Sequence, residues 1–259
     1  MNIEFIEKTW PELEEFIKSN ALIVLPVAQV EEHGPHLPLG CDTIIGTEIG
    51  KLISKELNKE IPTLLMPTVW AGYSPKKMMK WPGTMRIRTK VIGDYVHDII
   101  SSLCEMGFSK IVIIDSHGQH RGLLEVAIRE IADEYNIYCA LTDPLTLSAE
   151  KFSKIRKSPI GGATHACEYE TSLLLAFGYK IDMTKATDKD ILNFKSEYYT
   201  ADACGNKKYF ISTWGLQESK SGIYGAPLKS SKETGEILIK EIVANYTKLC
   251  KEYYNIKTF

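Results

Sequence analysis

The stretch from Leu25 to Asp42 concentrates residue types that bind metal ions. Its sequence is LPVAQVEEHGPHLPLGCD, in which acids and histidines follow a short apolar run. In an extended segment residues i and i+2 point to the same side, so Glu31 and His33 can address one point in space. Two turns rich in glycine and proline lie between His33 and Asp42 and can bring Asp42 back to that point. These three side chains are therefore candidate metal ligands.

The ligand types restrict the choice of metal. Two carboxylates and a neutral imidazole suit Zn, Mn or Fe in the divalent state, whereas calcium sites consist almost entirely of oxygen ligands. The stretch therefore predicts a divalent transition ion held by Glu31, His33 and Asp42. Taken alone it leaves one alternative open, a solvated polar loop in which His33 and His36 satisfy local hydrogen bonds.

A further histidine follows another predicted strand. The apolar run ending at Asp115 continues as DSHGQH, which contains His117. In an open α/β sheet, ligand sites lie at the carboxyl ends of the strands, and this loop and the first one both occupy that position. We therefore expect the two loops to face one cavity and His117 to be a ligand there.

A third group of ionisable residues, His165, Glu168 and Glu170, stands at the start of a predicted helix. A helix N-terminus favours acids for dipole reasons alone, so one glutamate can be a simple cap. Glu170 lies where the helix begins to be buried, and a buried carboxylate needs a cation or a proton. We therefore take Glu170 as the functional candidate and expect Glu168 to be exposed.

The rest of the pattern supplies the elements that position these residues. Continuous apolar runs predict buried strands, and helical spacing predicts helices between them. Four strands alternating with helices imply an α/β fold with a mainly parallel central sheet covered by helices. Residues 144–165 and 179–229 show no firm elements. The strands are expected over 21–27, 63–69, 110–115 and 137–142, and the helices over about 10–19, 43–58, 92–107, 123–135, 167–178 and onward from a capping box at Ser230 and Glu233.

Composition excludes several classes of function. The chain has 259 residues and a formal net charge of −2, which argues against a general nucleic-acid surface. It has no apolar run of the ~18 residues that a membrane span needs and no signal-peptide pattern, so we expect no membrane partner and a cytoplasmic location. Six scattered cysteines without a CxxC pair predict free thiols. We expect one domain over residues 1–259.

Four motifs resemble, in order and spacing, those of the creatininase family of metal-dependent amidohydrolases. They are EEHGPHLPLGCD, PGT at 82–84, DSHGQH and HACEYETS, and GIYGAPLKSSKETGE extends the likeness towards the C-terminal helix. The resemblance implies a three-layer α/β fold and a centre of two divalent ions, Zn and/or Mn, with Fe a further option. It also implies hydrolysis of C–N bonds in cyclic or small amides, and homo-oligomers that are often hexamers.

Carried over by position, the resemblance assigns roles to single residues. Asp42 matches the bridging carboxylate, and His165 matches the histidine assigned to proton transfer. Gln119 falls where creatininase itself has a metal-binding glutamate, which leaves open whether Gln119 or Glu170 completes the second metal site. Glu170 also remains a catalytic candidate, as the next proton carrier after His165. The positions that match metal ligands are Glu31, His33, Asp42 and His117.

The sequence thus predicts a binuclear hydrolase of a small-molecule substrate, cleaving a C–N bond of a cyclic or linear amide. Within the family, a formamide deformylase or a keto-inositol ring hydrolase is the alternative. A metal-dependent binding protein without turnover is an alternative of another class, but such a protein has little use for a proton donor such as His165. The cations Lys76, Lys77 and Lys80 either face an anionic substrate or are simply solvated.

Overall fold

A computed structural model of the protein describes residues 2–192, 194, 196–205, 207–212 and 217–256. Helices and strands alternate along the first two thirds of the chain. The strands are β1 (Leu22–Val27), β2 (Thr63–Leu65), β3 (Lys110–Asp115) and β4 (Ala140–Thr142), and the helices are α1 (Trp10–Lys18), α2 (Cys41–Leu57), α3 (Thr89–Met106), α4 (Arg121–Tyr135), α5 (Pro144–Ile155), α6 (Glu168–Ala176) and α7 (Lys232–Tyr254).

The four strands form one parallel sheet in the order β2-β1-β3-β4. Each residue of β1 is buried because helices cover both faces of the sheet. Alternate side chains enter different cores: Leu22 and Val24 pack towards α2, α5, α6 and α7, whereas Ile23 and Leu25 pack towards α1, α3 and α4. The predicted α/β fold with three layers is confirmed.

The elements begin and end at recognisable signals. The Thr9 and Glu12 side chains form a capping box at the start of α1. Helix α3 ends at Gly107, whose φ of +106° is the left-handed conformation that glycine adopts most easily. No helix within the described residues is long and apolar enough to cross a membrane.

Four elements differ from the sequence prediction. Residues 144–155 form helix α5, which begins with Pro144 after the Asp143 side chain accepts the Thr146 N–H. Strand β2 stops at Leu65, because Pro67 has no N–H to give to a ladder. Strand β4 is likewise shorter than expected. The cap of α7 is Ser231, so the predicted capping box at Ser230 and Glu233 is wrong by one residue.

The sheet order brings two loops together at its carboxyl edge. Strands β2 and β3 lie on opposite sides of β1, so the strand order changes direction between β1 and β3, and ligand sites occur at such a switch point. The loop after β3 packs on the segment after β1: the Ser116 N–H donates to the Val27 carbonyl and its hydroxyl donates to the Asp42 carbonyl, both at 2.9 Å. The two ligand-rich loops therefore face one another as predicted.

Candidate metal centre

Asp42 lies between two histidines from different loops. Its Oδ1 is 3.2 Å from His33 Nε2, and its Oδ2 is 2.8 Å from His117 Nδ1. All three side chains are buried. Each oxygen of this one carboxylate thus faces a separate imidazole.

Three groups of ligand atoms share members of this cluster, and within each group the donor atoms lie within 4.8 Å of one another. The first group is Glu31, Asp42 and His117, the second is His33, Cys41 and Asp42, and the third is His33, His165 and Glu170. Asp42 belongs to the first two groups and His33 to the last two. The predicted ligands Glu31, His33, Asp42, His117 and Glu170 therefore belong to one cluster.

Backbone carbonyls orient the three histidines of the cluster. A carbonyl oxygen can only accept, so the ring nitrogen that contacts it carries the hydrogen, and the other nitrogen of a neutral imidazole carries a lone pair. That lone pair faces the carboxylates in each case, an arrangement that repels unless a cation lies between them. Metal-binding histidines commonly donate their other N–H in this way. The contacts are His33 Nδ1 to the Glu31 carbonyl (3.0 Å), His117 Nε2 to the Tyr73 carbonyl (3.0 Å) and His165 Nε2 to the Glu32 carbonyl (2.7 Å).

The electrostatics of the cluster favour positive charge beside Asp42. Burial alone would lower the pKa of His33 and His117, but the attraction of the neighbouring carboxylates is stronger. The pKa of His33 therefore rises to about 10 and that of His117 to about 9. Burial would raise the pKa of Asp42, yet the same histidines hold it well below its usual range. Protons or metal ions can supply this charge.

Glu31 shows most directly that the cluster suits a cation. It is completely buried, and neither carboxylate oxygen has a hydrogen-bond partner among the described residues. The Nδ1 atom of His165 lies 3.7 Å from its Oε2. Burying a carboxylate without such partners is costly, and coordination of a cation removes the cost. The combined set of carboxylate oxygens and imidazole nitrogens fits divalent transition ions.

A strained turn brings His165 and Glu170 to the cluster. Ala166 has a φ of +53°, which non-glycine residues rarely adopt and which recurs at functional sites. The His165 ring lies against that of His33, with 4.3 Å between centroids. Glu170 Oε2 accepts the Cys167 N–H, and its Oε1 lies 3.8 Å from His33 Nε2. Glu170 thus belongs to the third group of ligand atoms, with His33 and His165, whereas Gln119 is half-buried on the turn after β3.

The prediction that Glu168 is exposed is wrong. Its side chain is completely buried and accepts the N–H groups of Lys157 and Ser158 at 2.9 and 2.8 Å. The segment before α6 folds back over the start of the helix, which the helical pattern does not reveal. Sequence reasoning also missed Cys41, whose sulfur lies near His33 and Asp42; its position next to Asp42 was the available signal.

The fold and the site together define a class of protein, the α/β proteins with a buried cluster of metal-ligand side chains at the carboxyl edge of a parallel sheet. A model of the creatininase family, described as creatinine amidohydrolase, matches residues 6–250. The chain belongs to the creatininase family, and as a member it is a hydrolase. The alternative of a binding protein without turnover is not supported.

Named relatives act on different molecules. The 3-dehydro-scyllo-inosose hydrolase of Thermotoga maritima is 27% identical over 218 residues, covering 82% of this chain and 68% of that protein. The creatinine amidohydrolase of Pseudomonas putida is 22% identical over 270 residues, covering 96% of each chain. A creatininase variant structure of the Zn-Zn type superposes with a TM-score of 0.81 at 20% identity, covering 99% of this chain and 100% of that one. At this identity the superposition establishes the fold.

Proposed function

We propose that the protein is a binuclear metal-dependent amidohydrolase that cleaves a C–N bond of a small cyclic or linear amide. The observation that carries this proposal is the placement of Asp42, whose two oxygens face His33 and His117 separately. A carboxylate in that position can bridge two ions. The relative that hydrolyses creatinine and the Zn-Zn form of a structural neighbour support the same chemistry.

The cluster would hold two ions. Glu31, Asp42 and His117 would hold the first. His33 would hold the second together with Asp42 and Glu170, whose oxygens lie 3.2 and 3.8 Å from its Nε2. Zn or Mn bound there supplies a water of lowered pKa and a Lewis acid for the substrate carbonyl. The backbone carbonyls that fix the histidine rings keep the ligand nitrogens turned towards the ions.

His165 would carry the proton. Its Nε2–H is held by the Glu32 carbonyl at 2.7 Å, so Nδ1 has the lone pair on the side of Glu31. That nitrogen can accept a proton and return it to the departing nitrogen of the substrate. Glu170, whose Oε1 faces His33, is the next candidate for this role.

Hydrolysis of a keto-inositol ring is the second candidate. The observation that favours it is the relative from Thermotoga maritima, which is named for that reaction on 3-dehydro-scyllo-inosose and aligns with 82% of this chain. A formamide deformylase would use the same water and the same proton carrier. The three reactions give different products: other amides yield a carboxylate and an amine, formamides yield formate and an amine, and a keto-inositol ring yields a keto acid.

A substrate screen tests the proposal. Protein loaded with Zn or Mn should hydrolyse one of three panels, cyclic amides, formamides or keto-inositols, and we expect the amide panel. Activity should disappear with a chelator and return with added metal. Turnover of only the keto-inositols would favour the second candidate. No turnover of any panel by metal-loaded protein would contradict the proposed activity.

We also propose a homo-oligomer, a small-molecule substrate and a cytoplasmic location. The family resemblance supports the oligomer. All six cysteines are free thiols, three of them buried, as is usual in a reducing compartment.

A further inference from the structure

A cavity of about 800 Å³ is lined by cations and by Tyr224, whose ring neighbours that of His165. We call it the basic pocket; Lys76, Lys77, Lys80 and Arg86 line it. Among the described residues, Glu218 is the one acid on its wall. A concave site of one charge sign attracts small ions of the opposite sign.

Tyr224 connects the basic pocket to the metal centre. Its ring lies on the pocket wall, with its centroid 5.0 Å from Lys77 Nζ and 6.3 Å from the centroid of the His165 ring. The ammonium group of Lys77 and the proposed proton carrier His165 are therefore neighbours of the same aromatic ring.

The basic segment is fixed to the metal-binding loop. Lys76–Lys80 form a 3₁₀ turn in which Met78 is completely buried in a small apolar cluster. The Thr84 hydroxyl donates to the Met78 carbonyl and accepts the Glu32 N–H, both at 3.1 Å. Because Glu32 lies between the two ligand candidates of that loop, the cations are held at a defined place relative to the centre.

Hydrogen bonds also fix residues 217–224, the other segment that lines the pocket. The Asp190 carboxylate accepts the Ser221 hydroxyl at 2.7 Å and the Ser221 N–H at 3.1 Å. Gly222 has a φ of +82° and packs directly on Glu32, where a Cβ atom would lie 2.1 Å from Oε2. The pocket is therefore built from two walls that both contact the metal-binding loop.

Backbone carbonyls help to position two of the ammonium groups. Lys77 Nζ donates to the Gln217 carbonyl at 3.1 Å, and Lys80 Nζ to the Ser219 carbonyl at 3.4 Å. Carbonyls orient these groups but do not cancel their charge. The Glu218 carboxylate lies 3.7 Å from Lys80 but is 88% exposed, so the ion pair is weak. Partial burial lowers the pKa of Lys77, as expected for a cation held partly out of water.

We propose that the substrate carries an anionic group, a carboxylate or a phosphate, which binds in the basic pocket while the scissile bond lies at the metal centre. The inference rests on the proposed function for the position of the scissile bond. Lys77 and Lys80 would each give the anion a charge-assisted hydrogen bond. Neutral amides would lack this contact and bind less tightly.

Calorimetric titration of metal-loaded protein with inorganic phosphate and, separately, with succinate tests the inference. We expect saturable binding of at least one anion, weakened roughly tenfold by Lys77→Gln and by Lys80→Gln. The anion whose binding depends on the lysines identifies the group as phosphate or carboxylate. The matched control is Lys154→Gln. The Lys154 side chain is exposed on α5, so this variant should bind the anion like the wild type.

Two results would overturn the inference: no binding of either anion, or binding that both lysine replacements leave unchanged. The second result would mean that the anion binds elsewhere, for instance on the ions themselves. Metal content measured on the same samples separates the two proposals. A protein that takes up no metal would contradict the proposed function. If the protein is loaded with metal but both lysine replacements leave anion binding unchanged, only the anionic substrate is contradicted.

Discussion

Asp42 carries its charge where the fold favours a carboxylate. It lies in the first turn of α2, whose positive end stabilises negative charge. The Ser116 hydroxyl donates to its carbonyl and so fixes Asp42 against the loop after β3. Because helix and loop hold the residue from two sides, its carboxylate meets both His33 and His117.

At the same scale, His165→Ala should retain its metals and its fold while losing on the order of 100-fold or more in turnover, the usual contribution of a positioned acid or base. Metal content and rate must be measured on one sample, with the best substrate from the screen. Loss of an ion would make His165 a ligand, since its ring nitrogen lies close to His33 and Glu170. Full activity with both ions present would transfer the proton role to Glu170.

His36 should make stability depend on pH. Burial lowers its pKa to about 4, below the ordinary value of about 6.5. Between these values the unfolded chain binds more protons than the folded one, so this contribution is complete above pH 6.5 and is lost as the pH falls towards 4. Urea unfolding at pH 7.5 and 4.5 should show a smaller loss for His36→Gln than for the wild type. Equal losses would contradict the assignment.

At the scale of elements, the strands and most helices could be predicted because their signals are local. The run LIVLPV predicts β1 since both faces of that strand are covered. Helix α5 also has a local signal, Asp143 followed by Pro144, but its apolar stripe is too short to predict a helix. The burial of Glu168 had no local signal, because its partners Lys157 and Ser158 come from a segment that folds back over α6.

The site residues also differ in how far the sequence predicts their placement. Glu31, His33 and Asp42 lie within one motif, so their spacing alone indicated a common ligand set. The approach of His165 and Glu170 to His33 depends on a turn at Ala166 that no pattern in the sequence predicts. The role of His165 rests on the family resemblance, whereas Glu170 is a candidate because it lies where its helix begins to be buried. The structure adds the proximity of both residues to the cluster.

Asp202 should stabilise the loop that carries His165. Its carboxylate binds the buried Arg156 guanidinium at 2.6 Å and accepts the N–H groups of Gly161 and Ala163 at 2.7 and 3.1 Å. Asp202→Asn leaves the Arg156 charge uncompensated, which should lower the free energy of unfolding by about 3 kcal/mol. Chemical denaturation measures this loss.

The matched control is Asp182→Asn. Asp182 is exposed and caps a short turn through the Thr184 N–H, so its replacement should cost less than about 1 kcal/mol. Similar losses in the two variants would show that the contacts of Asp202 do not hold this loop.

At the scale of the whole molecule, the parallel sheet gathers four distant segments at one edge. Two of these segments, 31–42 and 115–120, follow strands β1 and β3. The other two, 165–170 and 217–224, complete the candidate metal centre and the basic pocket. Both apolar cores pack on opposite faces of the same sheet. We therefore propose that residues 1–259 form one creatininase-like domain.

Association of copies should be visible in solution. Several large apolar side chains are exposed, among them Trp10, Trp70 and Tyr95, and association can remove such surface from water. Sedimentation or light scattering should give a mass that is a multiple of the 29.2 kDa chain, up to six copies. A monomer at micromolar concentration would contradict the proposed homo-oligomer.

Metal stoichiometry of the wild type and of Asp42→Ala tests the central claim most directly. The wild type should carry about two divalent transition ions per chain, and Asp42→Ala should lose both together, because the two oxygens of this carboxylate face the two proposed ion positions at His33 and His117. Glu48→Ala, on the same helix but paired with Lys51 away from the cluster, should keep both. Circular dichroism should show that all three proteins are folded. Wild-type protein without Zn, Mn, Fe or Co, or an Asp42→Ala variant that loses only one ion, would contradict a bridged two-metal centre.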